Sequence, residues 1–439
     1  MKIRGLLIAS LIFLVLAGLL YYSNHHKPAD DSAKASTETP SILKLDEATI
    51  SRLDIKKKDS PEIVLTKNSS GNWQITEPEP LGAEQATVNS ALSSLSSLNA
   101  ERVVEDKASD LKRYGLDQPS LEVDLTAKDK TQKLMLGDDT PAGGAVYASL
   151  AGDPRVFTIS SNNKTNLNKT VNDWRDKRLL TVTSDKISRI EVDRNNKVIE
   201  FGRNKDEWQI LKPKPLRADS FEVSDLLRKL TDTRMDLSGS DAERDAAAAF
   251  AHASPVATAR VTDSSGTQDL EVRKNKDTYY AKSSVVEGVY KVGADLGTAL
   301  DKSVDDFRNR KLFDFGYDDP NKVELHAASK AYYLIRNGED WWSNGKKMDE
   351  TSVQALISKL RDLSASKFAD SGFNSSTSLE ITVTSQDGKR AEKIQISKSS
   401  NDYIAQRENE PGLYEIDSSA VDDLQKAADD IKAAEPPKK

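Results

Sequence analysis

The chain of 439 residues contains no cysteine and only four histidines, and both shortages exclude classes of function. Without a thiol there is no disulfide scaffold, no thiolate zinc site and no cysteine nucleophile. His252 and His326 each stand alone in the sequence, so no serine has an obvious histidine base. No Gly-x-Ser-x-Gly elbow occurs either. We therefore predict a protein without catalytic residues, cofactor or metal site, and not an enzyme.

Signatures of phosphate and nucleic-acid binding are missing as well. Residues 338–347 place six residues between two glycines, which is too many for a phosphate-binding loop, and no Ser or Thr follows the lysine. The 63 basic and 70 acidic residues are interspersed and give a net charge of −7. No basic stripe with interleaved aromatic residues occurs, so nucleic acid is not an expected partner.

Long hydrophobic runs are absent apart from residues 5–22, an uncharged segment that follows Lys2 and Arg4. As a helix it would be about 27 Å long, close to the ~30 Å hydrocarbon core of a bilayer. The preceding basic residues favour a cytoplasmic N-terminus. We therefore predict a retained single-pass anchor in the inner or cytoplasmic membrane, with the rest of the chain extracytoplasmic (periplasmic). The alternative is a cleaved signal peptide, which would have a shorter apolar region of about 7–15 residues and a small-x-small exit.

Composition and repeats divide the chain into seven segments. The polar segment after the anchor contains Pro28 and Pro40 and is typical of a flexible tether. The predicted segments are a cytoplasmic end (1–4), the anchor (5–22), the tether (23–41), three repeats (42–180, 181–313 and 314–432) and a tail (433–439).

The exported part repeats one pattern. Residues 50–55 (ISRLDI) match residues 187–192 (ISRIEV), and residues 73–75 (WQI) match residues 208–210 (WQI). A Pro-x-Pro turn follows the WQI segment in both copies. A third copy is shorter and has diverged, and it lacks the Pro-x-Pro turn. Matches in the same order along the chain indicate three copies of one structural unit.

Each copy combines strands with helices that are segregated along the sequence. Residues 121–126 alternate Leu, Val and Leu with Glu, Asp and Thr, the period of a strand. Val88, Leu92 and Leu95 recur at helical spacing. The pattern predicts an α+β fold in which each repeat is a mostly antiparallel sheet with one amphipathic helix and a short closing helix.

Aromatic and charged residues around the Trp-bearing strands are the candidate contact sites. We expect Trp73, Trp208 and Trp342 to be equivalent and to fill the space between helix and sheet. The adjacent Trp341 would then point to the other face, where it is available to a partner or a sugar. The Pro-x-Pro turns of copies one and two carry opposite charges. The predicted partner-contact residues are Trp341, Glu77, Glu79, Lys212 and Lys214.

Acidic pairs recur before the end of each repeat, at residues 172–173 (as Asn-Asp), 305–306 and 422–423. We expect these carboxylates to lie at the start of the closing helix, where they cap free amides and complement the helix dipole. The spacing of a calcium-binding loop is absent.

Several motifs together resemble the bacterial domain-of-unknown-function family 4340. They are the anchor, the Trp-strand with its Pro-x-Pro turn and helix, and the segments 114–119 (YGLDQP), 136–138 (LGD), 146–148 (VYA) and 173–179 (DWRDKRL). Members of that family are often encoded beside components of an ABC exporter of the gliding-motility type. The resemblance therefore implies an accessory role and subunits of an ABC-type exporter as partners, and it brings no catalytic residues.

The function favoured by the sequence is a non-enzymatic, membrane-tethered accessory or scaffold protein that engages a protein complex of the envelope. A module that binds an envelope polysaccharide or lipid through exposed aromatic residues is an alternative. A hydrolase that uses a pair of carboxylates is a further alternative, which would need a pocket-lined pair with a raised pKa.

Overall fold

The computed structural model describes residues 40–435, apart from residues 206, 319, 328–329, 375–377 and 400–401. The predicted anchor, most of the predicted tether and residues 436–439 lie outside this part of the chain. Among the described residues, no helix has both the length and the apolar character that crossing a membrane requires. The chain divides into two compact units, with the boundary between Asp176 and Lys177.

The first unit contains one antiparallel sheet. Its strands are β1 (Ile50–Lys57), β2 (Ile63–Lys67), β3 (Trp73–Glu77), β4 (Leu81–Gly82), β5 (Arg102–Glu105), β6 (Leu121–Ala127), β7 (Lys130–Asp139), β8 (Ala145–Leu150) and β9 (Val156–Ser160). The strand order is β4-β3-β2-β1-β6-β7-β8-β9-β5. Its helices are α1 (Gln85–Ser96), α2 (Ser161–Leu167) and α3 (Val171–Trp174), with 3₁₀ turns at Glu47–Thr49 and Leu111–Tyr114.

The second unit contains two further sheets. The strands of the second sheet are β10 (Arg189–Arg194), β11 (Lys197–Asn204), β12 (Glu207–Lys212), β13 (Leu216–Arg217), β14 (Ser254–Asp263), β15 (Gly266–Asn275), β16 (Thr278–Ser283) and β17 (Tyr290–Val292). The strand order is β13-β12-β11-β10-β14-β15-β16-β17. The helices are α4 (Ser220–Asp232), α5 (Ala242–Ala251) and α6 (Ala294–Leu300), with 3₁₀ turns at Ser184–Lys186 and Val304–Phe307.

The third sheet follows the same plan. Its strands are β18 (Lys322–Ala327), β19 (Lys330–Asn337), β20 (Asp340–Ser343), β21 (Lys346–Lys347), β22 (Lys367–Ala369), β23 (Leu379–Ser385), β24 (Arg390–Ser399), β25 (Asp402–Arg407) and β26 (Leu413–Ile416), with helices α7 (Glu350–Asp362) and α8 (Ser418–Asp429). The strand order is β21-β20-β19-β18-β23-β24-β25-β26-β22. The three sheets thus share one antiparallel order, except that the second lacks the last edge strand of the other two, and this confirms the prediction of an α+β fold in three repeated units.

Apolar and polar residues that alternate in the sequence lie on the buried and the more exposed face of the sheet, respectively. Leu121, Val123 and Leu125 of β6 are buried, whereas the residues between them are partly exposed. Val88 and Leu92 lie on the buried stripe of α1 and belong to the same core as β6. One core of this kind lies between the helices and the sheet of each repeat. Removal of these apolar surfaces from water is the main force that holds each repeat together.

Two consecutive apolar residues introduce each repeat and insert into its core. They are Ile42-Leu43, Leu179-Leu180 and Leu312-Phe313. The residue before each pair forms a β-bridge to the segment that follows the long helix: Ser41 with Asn99, Arg178 with Arg234, and Lys311 with Ser364. By their packing, the second and third pairs belong to the repeat that follows them, although the sequence-based boundaries assign them to the repeat before.

Candidate functional site

Histidines and grouped carboxylates are the side chains that most often support catalysis or hold a metal ion. Within the described ranges, no three His, Cys, Asp or Glu side chains come together where they could hold a metal ion. His252 is exposed on the surface of the second repeat. His326 is also exposed, and its ring lies edge-on to Tyr333 at a centroid distance of 5.3 Å. Neither histidine contacts a serine through a hydrogen bond in this part of the chain.

The acidic pairs cap the closing helices in two repeats. The Asp306 carboxylate accepts hydrogen bonds from the backbone amide and the hydroxyl of Ser303, both at 2.7 Å. The Ser303 hydroxyl is the main reason that the pKa of Asp306 lies below its usual value. Thr170 and Asp173 form the same arrangement in the first repeat. In the third repeat the expectation is wrong, because Asp423 lies within α8 and pairs with Lys359 at 2.7 Å.

A tryptophan is buried at the same strand position in all three sheets. Trp73, Trp208 and Trp341 are 4%, 5% and 2% exposed. Each lies opposite a basic residue of the neighbouring strand: Lys67, Arg203 and Arg336, respectively. The expectation that Trp342 fills the third position while Trp341 faces outwards is therefore wrong. Trp341 lies in the core and Trp342 is the exposed ring, because adjacent strand residues point to opposite faces.

A signal in the sequence could have assigned the two tryptophans correctly. Residues 203–208 are RNKDEW and residues 336–341 are RNGEDW. The Arg-Asn pair sets the hairpin register, so the tryptophan five positions after the arginine is the buried one. Matching Trp208 to Trp342 instead shifts the strand by one residue, and a one-residue shift reverses every side chain between the two faces.

Two of the family-like motifs pack against each other in the first repeat. Tyr114 is buried against Tyr147, with ring centroids 4.9 Å apart. Gly115 has a positive φ of 66°, which lets the chain turn back after Tyr114. A Cβ atom on Gly137 would lie 2.1 Å from the Tyr114 carbonyl oxygen, so only glycine fits there. The 114–119 and 136–138 motifs therefore have a packing role.

The third repeat carries an exposed apolar surface on β19 and β20. Tyr333 and Ile335 of β19 are 39% and 52% exposed, and Trp342 of β20 is 37% exposed. Trp342 pairs directly with Ile335 across the two strands. Together with Lys322 and Asn337 they line a shallow cleft of about 460 Å³. We call Tyr333, Ile335 and Trp342 the aromatic face.

The other two repeats carry different residues at the paired positions of the aromatic face. The pairs that correspond to Ile335 with Trp342 are Gly202 with Gln209 in the second sheet and Thr66 with Gln74 in the first. The third repeat also replaces the Pro-x-Pro turn by a tight turn at Asn344 and Gly345, both with positive φ. The shared fold therefore does not require large apolar side chains at these two positions.

A second surface, the Pro213 groove, lies in the second repeat. It has an apolar floor and basic residues at its rim, and it encloses about 560 Å³. The floor is formed by Val198, Ile199, Pro213 and Val304, and the rim by Arg194, Lys197 and Lys302.

The four charged contact candidates lie at the two Pro-x-Pro turns. Glu77 and Glu79 flank Pro78 in the first repeat, and Lys212 and Lys214 flank Pro213 in the second. All four side chains are exposed. Lys212 pairs with the buried Glu200 at 2.9 Å. Burial alone would raise the pKa of Glu200, but Lys212 and Arg189 outweigh burial and hold that pKa below its usual value.

A charged network joins the second and third repeats inside the second unit. The Arg217 guanidinium pairs with Asp314 and, at 3.2 Å, with Glu410. Tyr414 donates a hydrogen bond of 3.0 Å to Glu410. Burial by itself would lower the pKa of Arg217. The nearby Asp314, Tyr414 and Glu410 have the larger effect, so the pKa of Arg217 lies above its ordinary value. Since these charges compensate one another, the network has a structural role.

The fold defines an α+β repeat protein, and its second and third repeats carry exposed apolar surfaces. The family model described as Domain of unknown function (DUF4340) matches residues 73–235 and 208–382. This chain belongs to that family, which confirms the resemblance seen in the sequence. The two matches begin at the equivalent residues Trp73 and Trp208, at the third strand of their sheets, so the family unit runs across the boundary between structural repeats.

Similarity to solved structures is weak. A DNA polymerase sliding clamp from Pseudomonas aeruginosa, solved with a ligand, is 8% identical, with 85% of this chain and 92% of that chain covered and a TM-score of 0.17. A putative DNA polymerase III beta subunit from Eubacterium rectale is 7% identical, with 86% and 93% covered and a TM-score of 0.17. At these TM-scores the likeness carries no argument about fold or function. The comparison with curated proteins found no match.

Proposed function

We propose that this protein is a non-enzymatic accessory or scaffold protein of the cell envelope, tethered by residues 5–22, that docks a protein partner through its third repeat. The aromatic face carries the proposal. Tyr and Trp are enriched at protein interfaces, and exposed apolar patches on otherwise charged proteins mark interaction surfaces. The family resemblance makes a subunit of an ABC-type exporter the first partner to test.

The contrast between repeats supports a functional origin for this surface. The same sheet positions hold Gly202 and Gln209 in the second repeat, where the fold is the same. Exposing Ile335 and Trp342 to water gives no benefit to folding, since each remains more than a third exposed. An interface that covers these two side chains would remove their exposed apolar area from water, and this removal favours binding.

The proposal is tested with a photoreactive phenylalanine analogue at position 342 of the full chain in its native membrane. The matched control carries the same analogue at position 209, the corresponding position of the second repeat. Crosslinking at 342 should give a discrete adduct with a membrane protein, identifiable by mass spectrometry, and the control should not. Equal adducts at both positions, or none at 342, would refute docking through this face.

A variant then measures the contribution of the face. Combining Ile335→Thr with Trp342→Gln gives the third repeat the residue pair that the first repeat carries as Thr66 and Gln74. Because a central Trp contributes about 2 kcal/mol or more at an interface, partner recovery should fall about thirtyfold or more. An unchanged melting temperature would show that the variant is folded.

The second candidate function is binding of an envelope polysaccharide. The Trp342 and Tyr333 rings favour it, because a sugar ring can stack on them while Asn337 and Lys322 beside them hydrogen-bond to its hydroxyls. Retention of the full chain on insoluble cell-wall polysaccharide, lost in the double variant, together with no protein adduct at 342, would favour this alternative. The hydrolase alternative stays a prediction from the sequence.

A further inference from the structure

The Pro213 groove of the second repeat combines apolar and cationic character in one small concavity. Val198, Ile199 and Val304 supply aliphatic surface, and Pro213 adds the face of its ring. Its volume of about 560 Å³ lies in the range of small-molecule sites, roughly 300–1,000 Å³, which are mostly apolar with a few polar groups. No acidic residue is among those that line it.

Lys197 on the rim and Lys214, the residue after Pro213 in the chain, are not used by the fold. Arg194 donates a 2.9 Å hydrogen bond to the Lys302 carbonyl, and Lys302 itself pairs with Glu222 at 2.5 Å. Lys197 and Lys214, in contrast, are exposed and form no ion pair with any residue in the described part of the chain. One uncompensated ammonium group, that of Lys197, therefore lies on the rim beside the apolar floor, and a second, that of Lys214, directly follows the floor residue Pro213 in the chain.

The first repeat shows that this character is not required for folding. Its hairpin and Pro-x-Pro turn occupy the same places, and Glu62, Glu77 and Glu79 stand where the second repeat has Val198, Lys212 and Lys214. The structural contact is nevertheless retained, because Lys57 donates to the Lys169 carbonyl as Arg194 does to the Lys302 carbonyl. The fold thus accepts acidic residues here, and of these two repeats the second offers the basic rim with an aliphatic floor.

We propose that the Pro213 groove binds a single-chain amphiphile with an anionic head group, a fatty carboxylate or an alkyl phosphate. The alkyl chain lies on Val198, Ile199, Pro213 and Val304. The head group pairs with Lys197 and Lys214, where charge complementarity sets its orientation. A neutral or cationic amphiphile of the same length binds less well, because it leaves both lysines without a counter-charge. This site is independent of docking through the aromatic face.

The test uses the full chain in nanodiscs of phosphatidylcholine, which has no net charge. The probes are twelve-carbon chains that carry a diazirine and end in a carboxylate, a phosphate or an ammonium group. After irradiation, peptide mapping should place the carboxylate and phosphate adducts on residues 194–199 or 302–304, several-fold above the ammonium adducts. Comparing the two anionic probes shows which head group the groove prefers.

Variants decide whether the adducts report this groove. Lys197→Glu combined with Lys214→Glu should reduce labelling about tenfold, because two favourable charge pairs become repulsive. Val198→Glu, which copies the residue of the first repeat, should reduce it as well. Lys130→Glu combined with Lys389→Glu, at exposed lysines of the other repeats, is the matched control and should leave labelling unchanged. Unchanged melting temperatures show that the variants are folded.

Three outcomes would overturn the proposal. Labelling of residues 194–199 and 302–304 that is equal for all three probes would show that head-group charge is irrelevant. Labelling that survives both groove variants would place the amphiphile elsewhere. Shielding of Lys197 and Lys214 from acetylation by an added acidic peptide, without any amphiphile adduct, would assign the groove to a protein segment.

Discussion

Arg217 offers a direct test of how the second and third repeats are held together. Its guanidinium reaches Asp314, which directly follows the Leu312-Phe313 pair of the third repeat, and Glu410 in the loop before β26. It also donates to the Lys311 carbonyl and lies 3.5 Å from the Tyr414 hydroxyl. Arg217, Asp314 and Glu410 are each only about a fifth exposed. The perturbation that isolates this charge is Arg217→Met, which keeps an extended apolar stem.

The expected loss follows from what the substitution leaves behind. Asp314 and Glu410 would both lose the cation that they share, leaving Glu410 with Arg407 at 2.7 Å and Asp314 with Arg390 at 3.8 Å. Breaking a buried ion pair by removing one partner costs roughly 3–5 kcal/mol. Because these groups retain some access to water, we expect about 3 kcal/mol. Adding Asp314→Asn should recover part of that loss, since the carboxylate that keeps only the more distant Arg390 is then removed.

Urea denaturation of the full chain, followed by tryptophan fluorescence, measures this loss. The matched control is Arg228→Met, because Arg228 is 62% exposed and pairs with Asp225 on the surface of α4. A surface pair of this kind contributes about 0.3–0.5 kcal/mol. If the substitution loosens the contact between the two repeats, the urea unfolding transition should also become broader, which is measured as a lower m-value. A loss for Arg217→Met no larger than that of the control would refute the structural role assigned to this network.

Three further predictions concern packing and titration. Trp341→Ala should lower the free energy of unfolding, measured by urea denaturation, by about 3–5 kcal/mol, and Trp342→Ala should lower it by about 1 kcal/mol or less, because only Trp341 is buried. Equal losses for the two variants would contradict the assigned register. Gly137→Ala should destabilise the first repeat by about 1–3 kcal/mol, whereas Gly82→Ala, whose Cβ meets its nearest atom at 3.5 Å, should have little effect on the melting temperature. Hydrogen bonds from Ser265 and the Thr183 amide hold the pKa of Asp263 at about 2. Since that pKa is below the unfolded value of about 3.9, the melting-temperature difference between wild type and Asp263→Asn should be fully present above pH 4 and should disappear as the pH falls towards 2.

Local periodicity was sufficient to predict most of the architecture. Alternation at residues 121–126 and the helical spacing of Val88, Leu92 and Leu95 depend on neighbours along the chain, and both are present in the structure. The repeat was equally visible, because a structural unit copied three times keeps its order of strands and helices. These features are encoded within short windows, so the sequence alone determines them.

Features that depend on contacts between distant segments could not be predicted in the same way. Burial of Leu179-Leu180 in the second repeat depends on the bridge between Arg178 and Arg234. Arg217, Asp314 and Glu410 are far apart in sequence, and no motif connects them. The Arg217 network therefore appears only when the repeats are packed together.

The candidate surfaces show the same division between sequence and tertiary structure. The sequence determined that Trp341 and Trp342 point to opposite faces, and that the Pro-x-Pro turns differ in charge. Which tryptophan is buried also follows from the sequence, because the match of residues 336–341 (RNGEDW) to residues 203–208 (RNKDEW) indicates the hairpin pairing of Arg336 with Trp341. Only the tertiary structure decided that Lys197 lies on the rim of an apolar groove, because Val198 and Val304 come from segments about a hundred residues apart. The order of residues along one strand determines which side chains share a face of the sheet. Burial of that face depends on which distant segments pack against it.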